Sequence, residues 1–197
     1  MCPNTRTQLD YEELYESLVD RERARIMEQR SRRESEALLR GLRILSSSTS
    51  AESGLLSILS VLDWLESSDG SLVLTESDGE SFQVYSSTLP DLQKAFWPRG
   101  AMFQRLFRRN KPVIIHDTRQ VPEWGERSGS PGRSYLSAIH APFLFGERKA
   151  VLTCVSRELG RFDYRQAQLL YYLCPLMTQA LLTIRTLNEL QRTQREL

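Results

Sequence analysis

The chain has 197 residues, 40% of them hydrophobic, and its formal net charge is +1 from 26 basic and 25 acidic residues. This length suits one domain of roughly 100–150 residues with accessory helices. The balanced charge gives no general attraction to nucleic acid or anionic lipid, so neither partner is predicted. No apolar run approaches the roughly 20 residues that a membrane span needs, and no hydrophobic signal segment opens the chain. We therefore expect a soluble protein.

The three cysteines, Cys2, Cys154 and Cys174, indicate reduced thiols and not a disulfide framework or a zinc site. They are widely separated and form no Cys-x-x-Cys pair. Cys154 lies in an apolar strand-like run and Cys174 in an apolar helical run, where a thiol behaves as a small buried hydrophobe. We expect Cys154 to be unreactive and the protein to be cytoplasmic.

Residues 1–50 are assigned to an N-terminal coiled-coil-type helix, predicted over residues 9–45. This stretch is dense in Glu and Arg and contains no helix breaker except Gly41. Its two short apolar seams are Tyr11, Leu14 and Leu18, then Leu38, Leu42 and Leu45. An isolated helix of this kind is marginal in water, which favours pairing with a partner helix. The alternative is a solvated helix packed on its own domain.

Residues 46–50 interrupt this helix, and one of these Ser or Thr residues is expected to cap the next helix, predicted at residues 52–66. The runs 71–76 and 81–86 are β-rich, and the Asp78-Gly79 pair between them predicts a hairpin. Further helices are predicted at residues 89–97 and 100–109. Residues 119–133 hold five Gly and Pro residues and are expected to form a loop.

Residues 110–155 indicate a strand, a loop, a strand, a tight turn and a strand. Pro112 can open the first strand, because its missing N–H is tolerated there. Gly146-Glu147 separates two β-rich runs and suits a hairpin turn. A helix is predicted from the N-cap Asp163 to Leu197, with a kink or local bend at Pro175. Antiparallel hairpins with helices on one face give an α+β fold.

The order of these elements resembles the second half of a GAF domain, a small sensory module of bacterial signalling proteins. The resemblance rests on the Lys-Pro-Val-Ile-Ile-His-Asp run at residues 111–117, on the hairpin at residues 137–155 and on the long helix that follows. It extends from about residue 52 to residue 182. It implies a GAF-like antiparallel sheet at residues 51–182, with helices packed on one face and a loop over a ligand cavity.

No catalytic residues are predicted for this region. The chain has two histidines and no phosphate-cradling glycine motif. His116 either forms a base with Asp117 or is satisfied by local backbone at a strand end. His140 either contacts a ligand or a haem iron, or lies on the outer face of the sheet. A metal site would need a further convergent ligand, so neither a metal nor a cofactor is predicted.

Residues 86–153 contain no cysteine. The cysteines that methionine-sulfoxide-reducing and bilin-attaching GAF domains use therefore have no counterpart in this region. The residue set of cyclic-nucleotide-binding GAF domains has no recognisable counterpart either. The resemblance therefore implies the GAF fold without any of these three chemistries.

Aromatic residues cluster in the segments that cover the concave face of the sheet in the GAF fold. Two alternatives remain open: they form the wall of a small-molecule site with arginine anchors for an anionic group, or they fill the space themselves. Arg99 and Arg127 are secondary candidates for that anionic contact. The predicted ligand-binding residues are Trp97, Phe103, Trp124, Arg133, Tyr135 and His140.

Residues 183–197 are assigned to the start of a C-terminal signalling helix. Leu181, Ile184 and Leu187 continue an apolar seam past the domain, and no Gly or Pro terminates the helix. This stretch resembles linkers that precede diguanylate cyclase (GGDEF) domains or the dimerisation helices of histidine kinases. We expect a homodimer, paired through its terminal helices, that controls a missing output domain, with the cyclase favoured. A histidine-kinase sensor and a stand-alone interaction scaffold remain open.

Overall fold

The computed structural model describes residues 5–47, 50–66, 68–125 and 134–195, and divides the chain into two units, Met1–Ala37 and Leu38–Leu197. The first unit is formed by helix α1, which spans Thr5–Ser47 and continues into the second. Most of its described side chains are exposed, Leu14 and Leu18 among them. The predicted long helix is therefore confirmed, whereas its pairing with a partner helix stays a prediction.

The second unit contains the last turns of α1 and the helix α2, Ala51–Glu66. Ser50 caps α2, because its Oγ accepts the backbone N–H of Ser53 at 3.2 Å. Gly41 of α1 lies against α2, where an added Cβ would be 3.7 Å from Ile58. The predicted cap and the predicted second helix are both confirmed.

Six antiparallel strands form one sheet in the order β3-β2-β1-β6-β5-β4. The β1–β2 turn places both Asp78 and Gly79 at positive φ, 53° and 72°, as a type I′ turn requires. At the β5–β6 turn only Gly146 has positive φ, 66°, the pattern of type II′. The strands are β1 Gly70–Ser77, β2 Ser81–Ser87, β3 Phe96–Pro98, β4 Val113–Ile115, β5 Ser137–Phe145 and β6 Arg148–Ser156.

Helices α2 and α4 cover one face of this sheet, and their contact with it is largely aliphatic. Helix α4 spans Tyr164–Arg195 and passes through Pro175 without ending. Asp163 caps it: its Oδ1 accepts the N–H of Arg165 at 2.7 Å, and the Gln166 side chain accepts the N–H of Asp163 at 2.6 Å. The predicted N-cap is therefore confirmed.

The opposite face of the sheet is covered by helix α3, Ala101–Arg109, and by two 3₁₀ turns, Thr118–Gln120 and Pro122–Trp124. These turns occupy part of the predicted loop at residues 119–133. The rest of that loop, residues 126–133, lies outside the described residues. The contact on this face is largely aromatic, and it positions the candidate site.

The helix predicted at residues 89–97 is wrong. The structure has a 3₁₀ turn at Pro90–Leu92 and then β3, which pairs with β2 so that Trp97 is opposite Phe82. Cross-strand aromatic pairing stabilises the extended form of this stretch. Pro98 is compatible with it because β3 is an edge strand.

Two expectations for α4 are also corrected. By its length and composition alone, the segment Tyr164–Leu190 could cross a membrane. The expectation that no apolar run approaches the length of a membrane span is therefore wrong. Because 44% of the segment's most apolar window is buried inside the protein, packing against the sheet accounts for this apolarity. Leu181 and Ile184, each 4% exposed, face their own sheet and do not form the predicted outer seam. Leu187 and Leu190 are exposed.

Candidate functional site on the aromatic face of the sheet

Five aromatic side chains and one histidine converge on the sheet face beneath α3, and we call this set the aromatic cluster. Phe103 of α3 stacks on Phe82 of β2 with ring centroids 4.4 Å apart. Trp97 of β3 meets Trp124 edge-on at 5.4 Å. These contacts leave Trp97 0% and Trp124 2% exposed. The members of the cluster are Phe82, Trp97, Phe103, Trp124, Tyr135 and His140.

His140 is held between a tryptophan and a threonine. It lies opposite Thr153 across the β5–β6 ladder, so both side chains point to the same face, and its Nδ1 is 2.7 Å from the Thr153 Oγ1. The Trp124 Nε1–H donates to the His140 Nε2 at 3.2 Å. Indole N–H is a donor only, so Nε2 is the acceptor nitrogen and Nδ1 carries the proton donated to Thr153. The ring is therefore neutral.

Burial reinforces the neutral form of this histidine. Complete desolvation lowers the pKa of His140 from 6.5 to about 3, because the charged imidazolium loses its hydration inside the cluster. The ring centroid of Phe103 lies 5.7 Å away and adds to the apolar surroundings. The placement of His140 on the outer face of the sheet is thus wrong. Since both of its ring nitrogens are engaged, neither is directed at a metal ion.

Trp97 contributes a buried donor with no described acceptor. Its Nε1 is fully enclosed and makes no hydrogen bond with any residue in the described part of the chain. A buried indole N–H usually finds a partner, and leaving it without one costs roughly 1–3 kcal/mol. The cluster therefore contains one polar group that a bound molecule could satisfy.

Tyr135 closes the cluster through its hydroxyl, which donates to the Asp91 carboxylate at 3.0 Å. Burial and the Asp91 charge raise the pKa of Tyr135, so the phenol stays protonated. The guanidinium of Arg157 lies 5.7 Å from the Tyr135 ring, within cation–π range. This end of the cluster is tied to the surface by charged residues.

Glu123 anchors the turn that carries Trp124. Its buried side chain accepts the backbone N–H of Met102 at 2.8 Å, at the start of α3, where a carboxylate also meets the positive end of the helix dipole. A Cβ at Gly100 would overlap this carboxylate. Gly100 thus permits the close approach that fixes Trp124 over His140.

Five of the six predicted site residues are brought together in this cluster, whereas the sixth, Arg133, lies outside the described residues. So does Arg127. Arg99 is not in the cluster: it pairs with Glu76 at 2.8 Å and donates to the Gly79 carbonyl beside the β1–β2 turn. No result tests whether any of these residues binds a ligand, so that assignment stays a prediction.

His116 does not pair with its neighbour Asp117. The Asp117 carboxylate accepts two hydrogen bonds from the Arg119 guanidinium, at 2.8 and 2.9 Å, which lowers the pKa of Asp117. His116 is exposed, and its backbone carbonyl accepts the N–H of Gly160. Of the two alternatives for this histidine, the carboxylate-held base is wrong.

The aromatic cluster fills the space beneath α3 with its own side chains. Four surface cavities in the described part of the chain lie elsewhere: against the C-terminal half of α4, along the β4–β5 side of α4, and beside the β1–β2 turn. Phe82, Thr153 and Glu123 were not predicted as part of the site. The cross-strand register of β5 and β6 is the signal that places Thr153 beside His140.

Comparison with known proteins identifies the fold. A family model described as "GAF domain" matches residues 33–182. No curated protein sequence matches the chain. Solved structures resemble it at low sequence identity, so they bear on the fold alone.

Three of these solved structures show the extent of the similarity. A free methionine-R-sulfoxide reductase from Neisseria meningitidis, solved with its substrate, is 18% identical with a TM-score of 0.63, covering 78% of this chain and 90% of that one. A bacteriophytochrome from the photosynthetic bacterium R. palustris is 14% identical with a TM-score of 0.65, covering 82% and 40%. The GAF domain of a phosphoenolpyruvate-protein phosphotransferase from Coxiella burnetii is 16% identical with a TM-score of 0.58, covering 83% and 97%.

Proposed function

Because the chain belongs to the GAF domain family, we propose that it is the sensory and dimerisation region of a cytoplasmic bacterial signalling protein. Helix α4 is the observation that carries this proposal. It begins at the Asp163 cap, packs against the sheet as far as Ile184, and continues as the same helix to Arg195. A change in the sheet domain is therefore transmitted directly to the segment beyond it.

The exposed end of α4 supplies a seam for a second copy. Leu187 and Leu190 are 51% and 57% exposed, and with Thr183 they follow the i, i+4, i+7 spacing of a helix-pairing face. Leu14 and Leu18 form a similar exposed pair on α1. The homodimer we propose is held by these leucines and not by Leu181 and Ile184, which serve the domain's own core.

The output domain that we favour is a diguanylate cyclase, controlled by the rotation of two paired α4 helices. Support for this choice is the resemblance of the Leu-Asn-Glu-Leu-Gln run at residues 187–191 to linkers before such domains. Ligand binding or rearrangement of the dimer shifts the populations of two arrangements of the paired helices. This shift changes the relative orientation of the two catalytic domains. A histidine kinase uses the same geometry and is the second candidate output.

Sedimentation velocity of the full chain tests the dimer. The wild-type chain should sediment as a dimer at micromolar concentration. Leu187→Glu/Leu190→Glu should weaken the dimer and populate a folded monomer, because charges enter the α4 seam while Leu14 and Leu18 still contribute. Leu159→Glu is the matched control, since Leu159 is equally exposed at 53% but lies outside the helices. A monomeric wild-type chain, or a dimer unaffected by the double substitution, overturns the proposal.

Coupling to an output domain is tested by fusing α4 to a diguanylate cyclase catalytic domain. Cyclic di-GMP formation should depend on the helical phase of the junction. Inserting one or two residues should change it, whereas inserting seven residues, about two helical turns, should restore it. Activity that ignores the phase would leave a stand-alone interaction scaffold as the better description.

A small-molecule site in the aromatic cluster is the second candidate function, and the unpartnered Trp97 Nε1 favours it. An acceptor group on a ligand that enters the cluster would satisfy this donor. Catalysis is no part of the proposal for this region. A fluorescence screen of small anionic metabolites tests the ligand site: a true ligand should change Trp emission in the wild-type chain and lose affinity in Trp97→Phe, which removes the indole N–H together with part of the ring.

A further inference from the structure

A long groove separates α4 from the outer edge of the sheet, and we call it the edge groove. It consists of two adjoining cavities of about 620 and 490 Å³, both lined by Pro112, Tyr171 and Tyr172. Each volume is within the range of known ligand sites. The edge groove shares no residue with the aromatic cluster, and the seam of Leu187 and Leu190 lies further along α4.

The α4 wall of the edge groove is apolar but exposed. Tyr171, Tyr172 and Leu176 are 44%, 60% and 49% exposed, and Leu144 of β5 contributes a further exposed leucine. No charged residue occurs in residues 166–184, although part of this helix faces outward. The outward face of a surface helix normally carries charged residues, so this face is suited to being covered.

The opposite wall is basic. Arg105, Arg109 and Lys111 line the smaller cavity, and no acidic side chain lines it with them. Within the described part of the chain, no ion pair neutralises these three cations. A helix end favours cations in its last turn, which accounts for Arg109. It does not account for Arg105 or Lys111, so the groove has a surplus of positive charge.

The backbone around the groove also has unused hydrogen-bonding capacity. β4 is the last strand in the sheet order and pairs with β5 alone, and Val113 and Ile114 of β4 both line the smaller cavity. Pro175 has no N–H, so the Tyr171 carbonyl lacks the intrahelical donor expected from that position. Such an edge accepts an added extended chain. From Tyr164 to Thr178 the groove is ~21 Å long, the span of about six extended residues.

We propose that the edge groove binds an extended, acidic segment of a partner polypeptide. Carboxylates of the segment pair with Arg105, Arg109 and Lys111, its backbone adds to β4, and its apolar side chains pack on the α4 tyrosines. The concave shape favours a chain over a flat lipid surface. A bound segment would contact α4, the helix that links the domain to its output in the proposed function. The binding itself does not depend on that function.

Panning a phage-displayed library of random peptides against the full chain tests this proposal. Selected peptides should share an acidic, β-compatible consensus, and their synthetic versions should bind more weakly as salt is raised. Arg109→Glu and Lys111→Glu should each lower affinity at least tenfold, and Tyr172→Ala should also weaken binding. Lys111 lies beyond α3, so its variant excludes an effect through helix stability. Lys94→Glu, the same charge change near the opposite edge of the sheet, should leave affinity unchanged.

Four results would overturn the proposal. Selected peptides could lack acidic residues or bind the Arg109→Glu and wild-type chains equally. The chain could instead sediment with phosphatidylglycerol vesicles in an Arg109-dependent way without binding acidic peptides, which would assign the groove to a lipid surface. Self-association abolished by Arg109→Glu would assign it to a second copy of this chain.

Discussion

The two faces of the sheet are built on different physical principles. On the α2/α4 face, aliphatic side chains such as Leu59, Leu152 and Leu170 pack without hydrogen-bonding groups of their own. On the α3 face, aromatic rings surround a hydrogen-bonded chain from Trp124 through His140 to Thr153. We expect the first face to tolerate changes that preserve volume and the second to require particular atoms. A buried ligand site that depends on precise geometry is therefore expected on the aromatic face.

The largest expected effect tests the aliphatic face. Leu170→Ala removes a fully buried side chain of α4 and should lower the free energy of unfolding by about 3 kcal/mol, within the range for cavity-forming substitutions. Leu170→Met, which preserves volume, should cost less than about 1.5 kcal/mol. Urea denaturation followed by circular dichroism measures both. Equal losses in the two variants would mean that this face also needs precise shape.

Acidification tests the aromatic face. The pKa of His140 is about 3 in the folded state and near 6.5 when unfolded, so between these values only the unfolded state binds the proton. Stability should therefore fall as pH drops below about 6.5, by about 2 kcal/mol at pH 5, at about 1.4 kcal/mol per pH unit. Above pH 6.5 this contribution is fully present.

The control for acidification is His140→Gln. Glutamine cannot titrate, so the difference between wild-type and variant stability should shrink as pH falls from 7 to 5 in denaturant titrations. A wild-type chain whose pH dependence matches that of the variant over this interval would show that His140 is not held neutral by burial.

A conservative change at Trp124 sharpens the contrast with Leu170→Met. Trp124→Phe keeps an aromatic ring but removes the donor to His140 and part of the buried indole. The unsatisfied acceptor costs roughly 1–3 kcal/mol, and the lost ring volume adds to it. A loss of at least about 2 kcal/mol is expected and is measured by urea denaturation. Leu170→Met should cost less, and the reverse order would contradict the distinction between the two faces.

The smallest effect is expected at the rim of the cluster, where the Tyr135 hydroxyl meets the exposed Asp91. Tyr135→Phe removes only the hydroxyl that donates to Asp91, and should cost about 1 kcal/mol because the Asp91 carboxylate remains hydrated. Asp91→Asn should cost no more than this. A loss matching that of Trp124→Phe would show that the buried part of the cluster extends to this rim.

Local patterns predicted the elements whose contacts are local. The Asp78-Gly79 turn, the Asp163 cap and the hairpin at Gly146 follow from the conformational preferences of a few neighbouring residues, and all three are confirmed. The segment at residues 89–97 failed because its β3 strand is stabilised by pairing with β2, not by its own propensity. Leu181 and Ile184 were misplaced for a related reason, since spacing gives the faces of a helix but not which face meets the sheet.

The sequence by itself determined the GAF-like order of elements, the two tight hairpins and a long apolar helix after the sheet, because each depends on short-range spacing and residue type. It also placed Trp97, Phe103, Trp124, Tyr135 and His140 in segments that meet. Only the tertiary structure decided that His140 is neutral, that Glu123 fixes the Trp124 turn through Gly100 and Met102, and that basic and aromatic walls enclose one groove. These features depend on atoms brought together from distant parts of the chain, and spacing along the sequence does not specify such contacts.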